Sequence, residues 1–316
     1  MSTANELMGV VIRSTGSFCT VLADNGKTIE CKLKGNFRIR GIRSTNPVAV
    51  GDRVGFSFLP EQETGLIHKI EERQNYIIRK ATRLSAMSHI IATNIDQAVI
   101  MVTLVKPRTS TGFIDRFLVT AEAYHIPAFI VFNKCDQYTT VEAAAMNQMI
   151  QLYEGLGYPC LVTSAITGQG VEDVKKLFID KVNLLSGHSG VGKTALINAV
   201  EPGVIRKVGE ISDYHHKGKH TTTFAEMIPL SFGGFVIDTP GIKEFGLVNF
   251  EKQEVPERFP EMRNLMHQCQ FNNCTHVHEP GCAVKKALTN GLISQSRYAN
   301  YLSILNDEYF DETEWD

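Results

Sequence analysis

The chain has 316 residues, 43% hydrophobic and 21% charged, with a formal net charge of -2. This is the composition of a soluble globular protein with room for two or three domains and no overall nucleic-acid charge signature. No apolar run approaches the ~20 residues of a membrane span, and MSTANELMGV lacks a basic n-region, so a cytoplasmic protein is expected.

Charge and cysteine are unevenly spread. Residues 1–80 carry 12 Lys and Arg against 8 Asp and Glu, a basic front end that permits RNA contact and equally suits a solvated strand surface. Cys19, Cys31, Cys135 and Cys160 are scattered, whereas Cys269, Cys274 and Cys282 cluster. An odd total of seven fits a reducing compartment and a metal site better than a disulfide framework.

In chain order, GVVIR, SFCTVLA, TIECKLK, DRVGFSF and GLIHKI read as five short strands parted by turns such as Asp24-Asn25-Gly26. They predict a small barrel of the OB type, with an SH3-like barrel as the alternative. Lys32, Lys34, Arg38, Arg40 and Arg43 are its candidate RNA contacts. Residues 72–95 are polar and read as an irregular linker.

From Asp96 the pattern changes. QAVIMVTL, IPAFIVF, PCLVTSA, KVNLLSG and GGFVID read as strands; FIDRFLVTAEAYH, VEAAAMNQMIQLYEGLG, VEDVKKLF and ALINAV read as helices. Such alternation predicts a parallel sheet covered on both faces, with ligands at the carboxyl ends of the strands. Past Val248, PERFPEMRNLMHQ is helical, a Cys/His knot follows, and the last stretch predicts two short helices broken near Asn290-Gly291.

Four motifs fall at those strand ends. Gly187-His188-Ser189-Gly190-Val191-Gly192-Lys193-Thr194 matches G-x-x-x-x-G-K-[ST] between a strand and a helix that opens with Ala195. Its backbone N–H groups would cradle phosphates, Lys193 would reach the β- and γ-phosphates, and Thr194 would ligate Mg²⁺. Asp238-Thr239-Pro240-Gly241 supplies a carboxylate toward Mg²⁺ and a Gly241 N–H toward the γ-phosphate. In the intervening HHKGKHTTT, one threonine completes the Mg²⁺ shell; Thr222 is assigned, with Thr221 and Thr223 as alternatives. Asn133-Lys134-Cys135-Asp136 reads guanine: Asp136 accepts from N1–H and the 2-amino group, which adenine does not offer in that pattern. Lys134 would cover the ring, Asn133 would bridge loops, and Ser164 and Ala165 would offer a backbone N–H to O6.

Guanine reading therefore precedes phosphate binding, the reverse of the ordinary GTPase order. A circularly permuted GTPase resolves this, because joining old termini and cutting elsewhere leaves the strand-end loops on one rim. The new cut falls just after the Asp238–Gly241 loop, which leads directly into the C-terminal segment. Cys269-x4-Cys274-x-His276-x5-Cys282 offers three thiolates and one imidazole, which saturate one structural tetrahedral Zn²⁺ and leave no place for an activated water. His267 and His278 are spares.

The barrel, the order NKCD–TSA–GHSGVGKT–HTTT–DTPG and the Cys/His cluster together resemble the RsgA family, over nearly the whole chain. The resemblance implies three parts: an OB-fold in residues 1–72, a permuted GTPase domain in 73–248 (linker 73–95 included) and a zinc-binding helical domain in 249–316. It further implies GTP hydrolysis to GDP stimulated by the small ribosomal subunit, with that subunit and its rRNA as partners, in late maturation of the subunit. Ile242 stands where many GTPases carry a water-orienting glutamine; similar permuted GTPases point to His220 for that task, and a plain RNA contact is the other reading. A monomer without membrane attachment is expected. Two further readings stay open: a GTP-driven switch with a protein partner in signalling or trafficking, and a zinc enzyme gated by GTP.

Overall fold

A computed structural model of the chain describes residues 6–15, 18–33, 47–58, 63–80, 88–203, 225–238 and 252–306. The front end is five strands: β1 (Leu7–Ser14), β2 (Phe18–Ala23), β3 (Thr28–Leu33), β4 (Arg53–Phe58) and β5 (Gly65–Ile70). Their residues alternate inward and outward, so Val11, Cys19, Val21, Cys31, Val54, Phe56 and Ile67 fill one apolar interior. At the β2–β3 turn Gly26 takes a φ of +80° and donates to the Ala23 carbonyl, a conformation glycine adopts without strain. The strands run β1-β2-β3-β5-β4, with β3 and β5 parallel, and β4 pairs back onto β1. That closure makes a five-stranded OB-type barrel and sets aside the SH3-like alternative.

The expected irregular linker is corrected. Within residues 72–95, β6 (Tyr76–Lys80) and β7 (Ser88–Thr93) form an antiparallel pair. Tyr76-Ile77-Ile78 carries the β-branched and aromatic signal, which the surrounding charged and polar residues obscured. This pair also anchors the barrel. Asp52, buried before β4, receives Arg73 Nε at 2.7 Å and Nη2 at 2.6 Å, the Thr93 hydroxyl at 2.9 Å and the Ala49 N–H at 2.8 Å. Gly51 lets the backbones meet there: a Cβ at this position would lie 2.1 Å from the Thr93 carbonyl oxygen.

The second half of the sheet comprises β8 (Gln97–Val102), β9 (Ala128–Phe132), β10 (Cys160–Val162), β11 (Val182–Ser186), β12 (Glu226–Pro229) and β13 (Phe235–Asp238). Its order is β10-β9-β8-β11-β13-β12, parallel except for β12, and Arg13 of β1 pairs with Glu226 of β12 to join the barrel on. Alternate residues serve opposite faces. Ile100, Val102, Ile130 and Leu184 pack with α1 (Thr111–Ala123) and α2 (Thr140–Gly155). Val99, Met101, Val131 and Leu185 pack with α3 (Val171–Phe178) and α4 (Lys193–Val200). Ser110 caps α1 by accepting from the Phe113 N–H, and Glu142 caps α2 by accepting from the Thr139 N–H at 2.9 Å.

The C-terminal unit contains a 3-10 segment (Lys252–Arg258), α5 (Pro260–Met266), α6 (Ala283–Thr289) and α7 (Gln295–Leu305). The last two bracket Asn290-Gly291, where the sequence placed the break. Its core of Phe259, Met262, Val284, Tyr301 and Ile304 closes over Val119 of α1. Buried polar contacts fix this junction. Arg297 Nη1 donates to Asp115 Oδ1 at 2.6 Å, Arg297 Nε to Glu261 Oε1 at 2.7 Å, and Asn300 Nδ2 to Asp115 Oδ2 at 2.6 Å. Burial pushes the Asp115 carboxyl up, against Arg297 and the Asn300 and Tyr153 hydrogen bonds. Burial likewise disfavours the Arg297 cation, but Asp115 and Glu261 outweigh it and hold the guanidinium protonated. Three donors, from Tyr153, Arg297 and Asn300, meet the two oxygens of Asp115. No described helix is long and apolar enough to cross a membrane.

Replacing Arg73 by Ala would leave Asp52 charged and buried without its partner. The expected loss is about 3–5 kcal/mol, measurable by urea unfolding; a loss below ~1 kcal/mol would show that Asp52 finds other compensation.

Candidate nucleotide site and metal centre

Five parallel strands deliver their following loops to one edge of the sheet. Asn133–Asp136 follows β9, Thr163–Ala165 follows β10, Gly187–Thr194 follows β11 and leads into α4, and Asp238 ends β13 beside Leu185 of β11. The guanine and phosphate motifs, far apart in sequence, are bonded to each other. Asn133, 1% exposed, donates from Nδ2 to the Val191 carbonyl at 3.0 Å and accepts the Thr163 hydroxyl at 3.0 Å. The Cys135 N–H donates to the Thr163 carbonyl at 3.2 Å. One buried amide thus ties three motif loops together. Asp136 is exposed at the rim, while Ser164 is buried, its Oγ accepting the Thr167 N–H at 3.1 Å.

The phosphate loop curls through Gly187, Gly190 and Gly192 at φ values of +145°, +81° and +103°. At Gly192 a Cβ would fall 2.4 Å from Asn133 Nδ2, so glycine is required by close approach as well as by backbone conformation. Lys193 Nζ lies 2.6 Å from the Gly187 carbonyl and 3.0 Å from that of His188. Ser189, Thr194 and Ala195 are exposed along the same rim.

The loop between β8 and α1 belongs to this site, though no motif marked it. Lys134, in the left-handed region at φ +61°, donates from Nζ to the Lys106 carbonyl at 2.7 Å. Pro107 Cδ lies 3.6 Å from where a Gly190 Cβ would stand, and the Phe113 ring stacks on His188 with centroids 4.0 Å apart. The only local clue was position, a loop at the end of a buried strand. His220, Thr221–Thr223, Thr239–Ile242, and Lys34, Arg38, Arg40 and Arg43 lie outside the described residues, as does the side chain of Asp238. Lys32 is exposed on β3, its ammonium 5.3 Å from the Phe18 ring centroid.

The Cys/His knot is compact. One ligand atom from each of Cys269, Cys274, His276 and Cys282 lies within 4.8 Å of the others. His276 Nδ1 is 3.6 Å from Cys269 Sγ and 3.4 Å from Cys282 Sγ. A tetrahedral ion with usual zinc bond lengths implies an N···S edge of ~3.5 Å, so the donors fit such a metal. Burial pushes the Cys274 thiol up to about 12, helped by the neighbouring cysteines, and lowers His276; a bound cation reverses this cost for the thiol and takes the neutral imidazole. His267 and His278 are exposed and outside the cluster.

Glu279, which the sequence reading passed over, shapes the ligand loop. It accepts the Thr275 hydroxyl at 2.6 Å and the N–H groups of Thr275, Val277 and His278 at 2.8, 3.0 and 3.1 Å. Burial opposes its charge, yet these donors hold its carboxyl down at about 2. From the other side, Tyr298 donates to the His276 carbonyl at 2.6 Å and Tyr301 to that of Thr275.

A guanine loop bonded to a phosphate loop that follows it in the chain defines a circularly permuted GTPase. Comparison with known proteins agrees. The RsgA GTPase family pattern matches residues 70–248 and that of the RsgA N-terminal domain matches 8–67. The small ribosomal subunit biogenesis GTPase RsgA of Phocaeicola vulgatus is 53% identical over 302 residues, covering 96% of this chain and 97% of that protein. Its namesake from Porphyromonas gingivalis is 51% identical, over 95% and 96% of the two chains. The crystal structure of YjeQ from Thermotoga maritima superposes with a TM-score of 0.77 at 34% identity, covering 96% of this chain and 98% of that one. That of YloQ, described as a circularly permuted GTPase, gives 0.71 at 30% identity, over 97% and 96%. The chain belongs to the RsgA GTPase family and is a GTP hydrolase, a class that works on GTP with Mg²⁺.

Two substitutions test this geometry. Gly192→Ala should drive a methyl group into Asn133 and weaken GDP binding by about tenfold or more, read by fluorescent-nucleotide titration; unaltered affinity would show that the two loops separate freely. Glu279→Gln should speed metal loss to a chelating dye by about tenfold. Because the Glu279 pKa is depressed, its stabilisation is fully present above the ordinary value of 4.5 and fades as the pH falls toward 2. Equal release rates for both proteins would mean that the metal alone shapes the loop.

Proposed function

We propose that this protein hydrolyses GTP to GDP and phosphate under stimulation by the small ribosomal subunit, late in that subunit's maturation. The observation that carries the nucleotide reading is the Asn133–Val191 hydrogen bond, which fixes the guanine loop against the phosphate loop. The names of the relatives, with 95% or more of the chain aligned, support the ribosomal assignment.

Asp136 selects guanine through N1–H and the 2-amino group, and Ser164 or Ala165 offers a backbone N–H to O6. Backbone N–H groups of residues 187–195 hold the phosphates, with Lys193 exchanging its carbonyl partners for β- and γ-phosphate oxygens. Thr194, Asp238 and a threonine of 221–223 would hold Mg²⁺, which would offset the negative charge that develops on the phosphates. His220 orients the attacking water. In-line attack adds water oxygen to the γ-phosphorus, releases GDP and yields phosphate, the surplus proton passing to solvent or phosphate.

Zn²⁺ is the metal proposed for the Cys/His cluster, in a closed structural site. The barrel is the rRNA-gripping part: its basic residues carry charge, and Phe18 beside Lys32 gives an exposed ring of the kind on which bases stack. The protein acts in the cytoplasm as a monomer.

The deciding experiment is GTP hydrolysis by protein alone and with small subunits, large subunits or naked RNA. Intrinsic turnover should be slow, on the order of 10⁻⁴–10⁻² s⁻¹, rise selectively with small subunits and vanish in Lys193→Ala. Stimulation by none of these would move the assignment to a switch acting on a protein partner. Zinc chelation should loosen the chain beyond about residue 250 while GDP affinity stays within about tenfold; complete loss of nucleotide binding with the metal would contradict a purely structural zinc.

A further inference from the structure

Helix α1 touches both the nucleotide site and the metal-bearing unit, and it does so with different faces. Phe113, at its N-terminal turn, stacks on His188 of the phosphate loop at 4.0 Å and an interplanar angle of 28°. Asp115 lies two residues on, roughly 200° around the helix. It is fully buried and takes hydrogen bonds from Arg297 and Asn300 of α7. Helix α7 repeats the division of faces. Arg297 and Asn300, three apart, hold α1, while Tyr298 and Tyr301, also three apart, hold the carbonyls of His276 and Thr275 in the ligand loop.

We propose that Phe113 is a positioning residue for the phosphate loop, and that the Asp115–Arg297 pair lets the metal-bearing unit set nucleotide affinity through it. No atom of Arg297 needs to approach the nucleotide. The guanidinium is held on two sides, by Asp115 and by the Glu261 carboxylate, and its Cζ lies 4.6 Å from the Phe259 ring centroid. A displacement of α7 therefore pulls on α1 through a stiff, desolvated contact. The Phe113 ring turns that displacement into a change of pressure on His188. The partner that would exploit this relay is any surface that grips the metal-bearing unit. The inference rests on the nucleotide-site reading and adds a regulatory input to it.

The test is a double-mutant cycle on the full-length, metal-loaded protein, read by titration with N-methylanthraniloyl-GDP. Phe113→Leu should weaken GDP by about fivefold, and Phe113→Tyr, which keeps the ring, should return it to within about twofold. Arg297→Lys keeps the charge and loses the planar fork. It should weaken GDP by about threefold with Phe113 present and by less than about 1.5-fold in Phe113→Leu, because the relay is already cut. Equal effects of Arg297→Lys in the two backgrounds, or an unchanged affinity in Phe113→Leu, would overturn the inference. If Arg297→Lys unfolds the helical unit, Asn300→Ala, which removes only the Asp115 Oδ2 contact, is read by the same criterion. Absence of GDP binding by the unsubstituted protein would overturn the nucleotide-site reading, and this inference with it.

Discussion

The polarity of a parallel sheet is the constraint on which this molecule rests. Strands β8, β9, β10, β11 and β13 all run the same way, so each one's following loop reaches the same edge whatever its place in the chain. Chain order is then free to vary while loop geometry is not. That is why a guanine loop at residues 133–136 can meet a phosphate loop at 187–194 and share hydrogen bonds with it. It is also why the loop after β8, which carries no motif, ends up against both.

Apolar packing joins the three parts of the chain, but two buried aspartates decide how they sit. Asp52 with Arg73 sets the barrel against the β6–β7 pair, and Asp115 with Arg297 sets the helical unit against α1. Such pairs cost desolvation and add little net stability, whereas losing one partner is expensive. Their contribution is specificity of orientation. A surface of valines and isoleucines tolerates sliding; a carboxylate that must receive three or four donors does not.

Much of this was legible in the sequence because the relevant signals are local. Alternation in SFCTVLA, the glycine spacing of GHSGVGKT, the strand before NKCD and the cysteine spacing of residues 269–282 are each local signals, and the elements they named are where the structure has them. The β6–β7 pair was missed because its two apolar runs are short and lie among Glu, Arg, Lys and Ser residues, so period-2 alternation never becomes clear. Arg297 and Asp115 were invisible for a different reason. Both look like solvated helix positions until residues 182 apart are brought together, and no local pattern encodes that encounter. Glu279 gave no signal either, since three of its four donors are backbone N–H groups, which every residue but proline offers.

The position of β11 has a consequence for how the molecule comes into being. The barrel closes on contacts within residues 7–70, so it can form while the rest of the chain is still being synthesised. The nucleotide-binding half cannot. Strand β11 (Val182–Ser186) lies between β8 and β13, so the edge of β8 that it covers stays open until about 80 residues beyond Val102 have emerged. Permutation has thus put the loop at residues 133–136 first and the central strand β11 after it. A nascent chain can gain stabilisation from bound nucleotide only after residues 187–195 have emerged, and until β11 arrives the open edge of β8 needs protection from other strands.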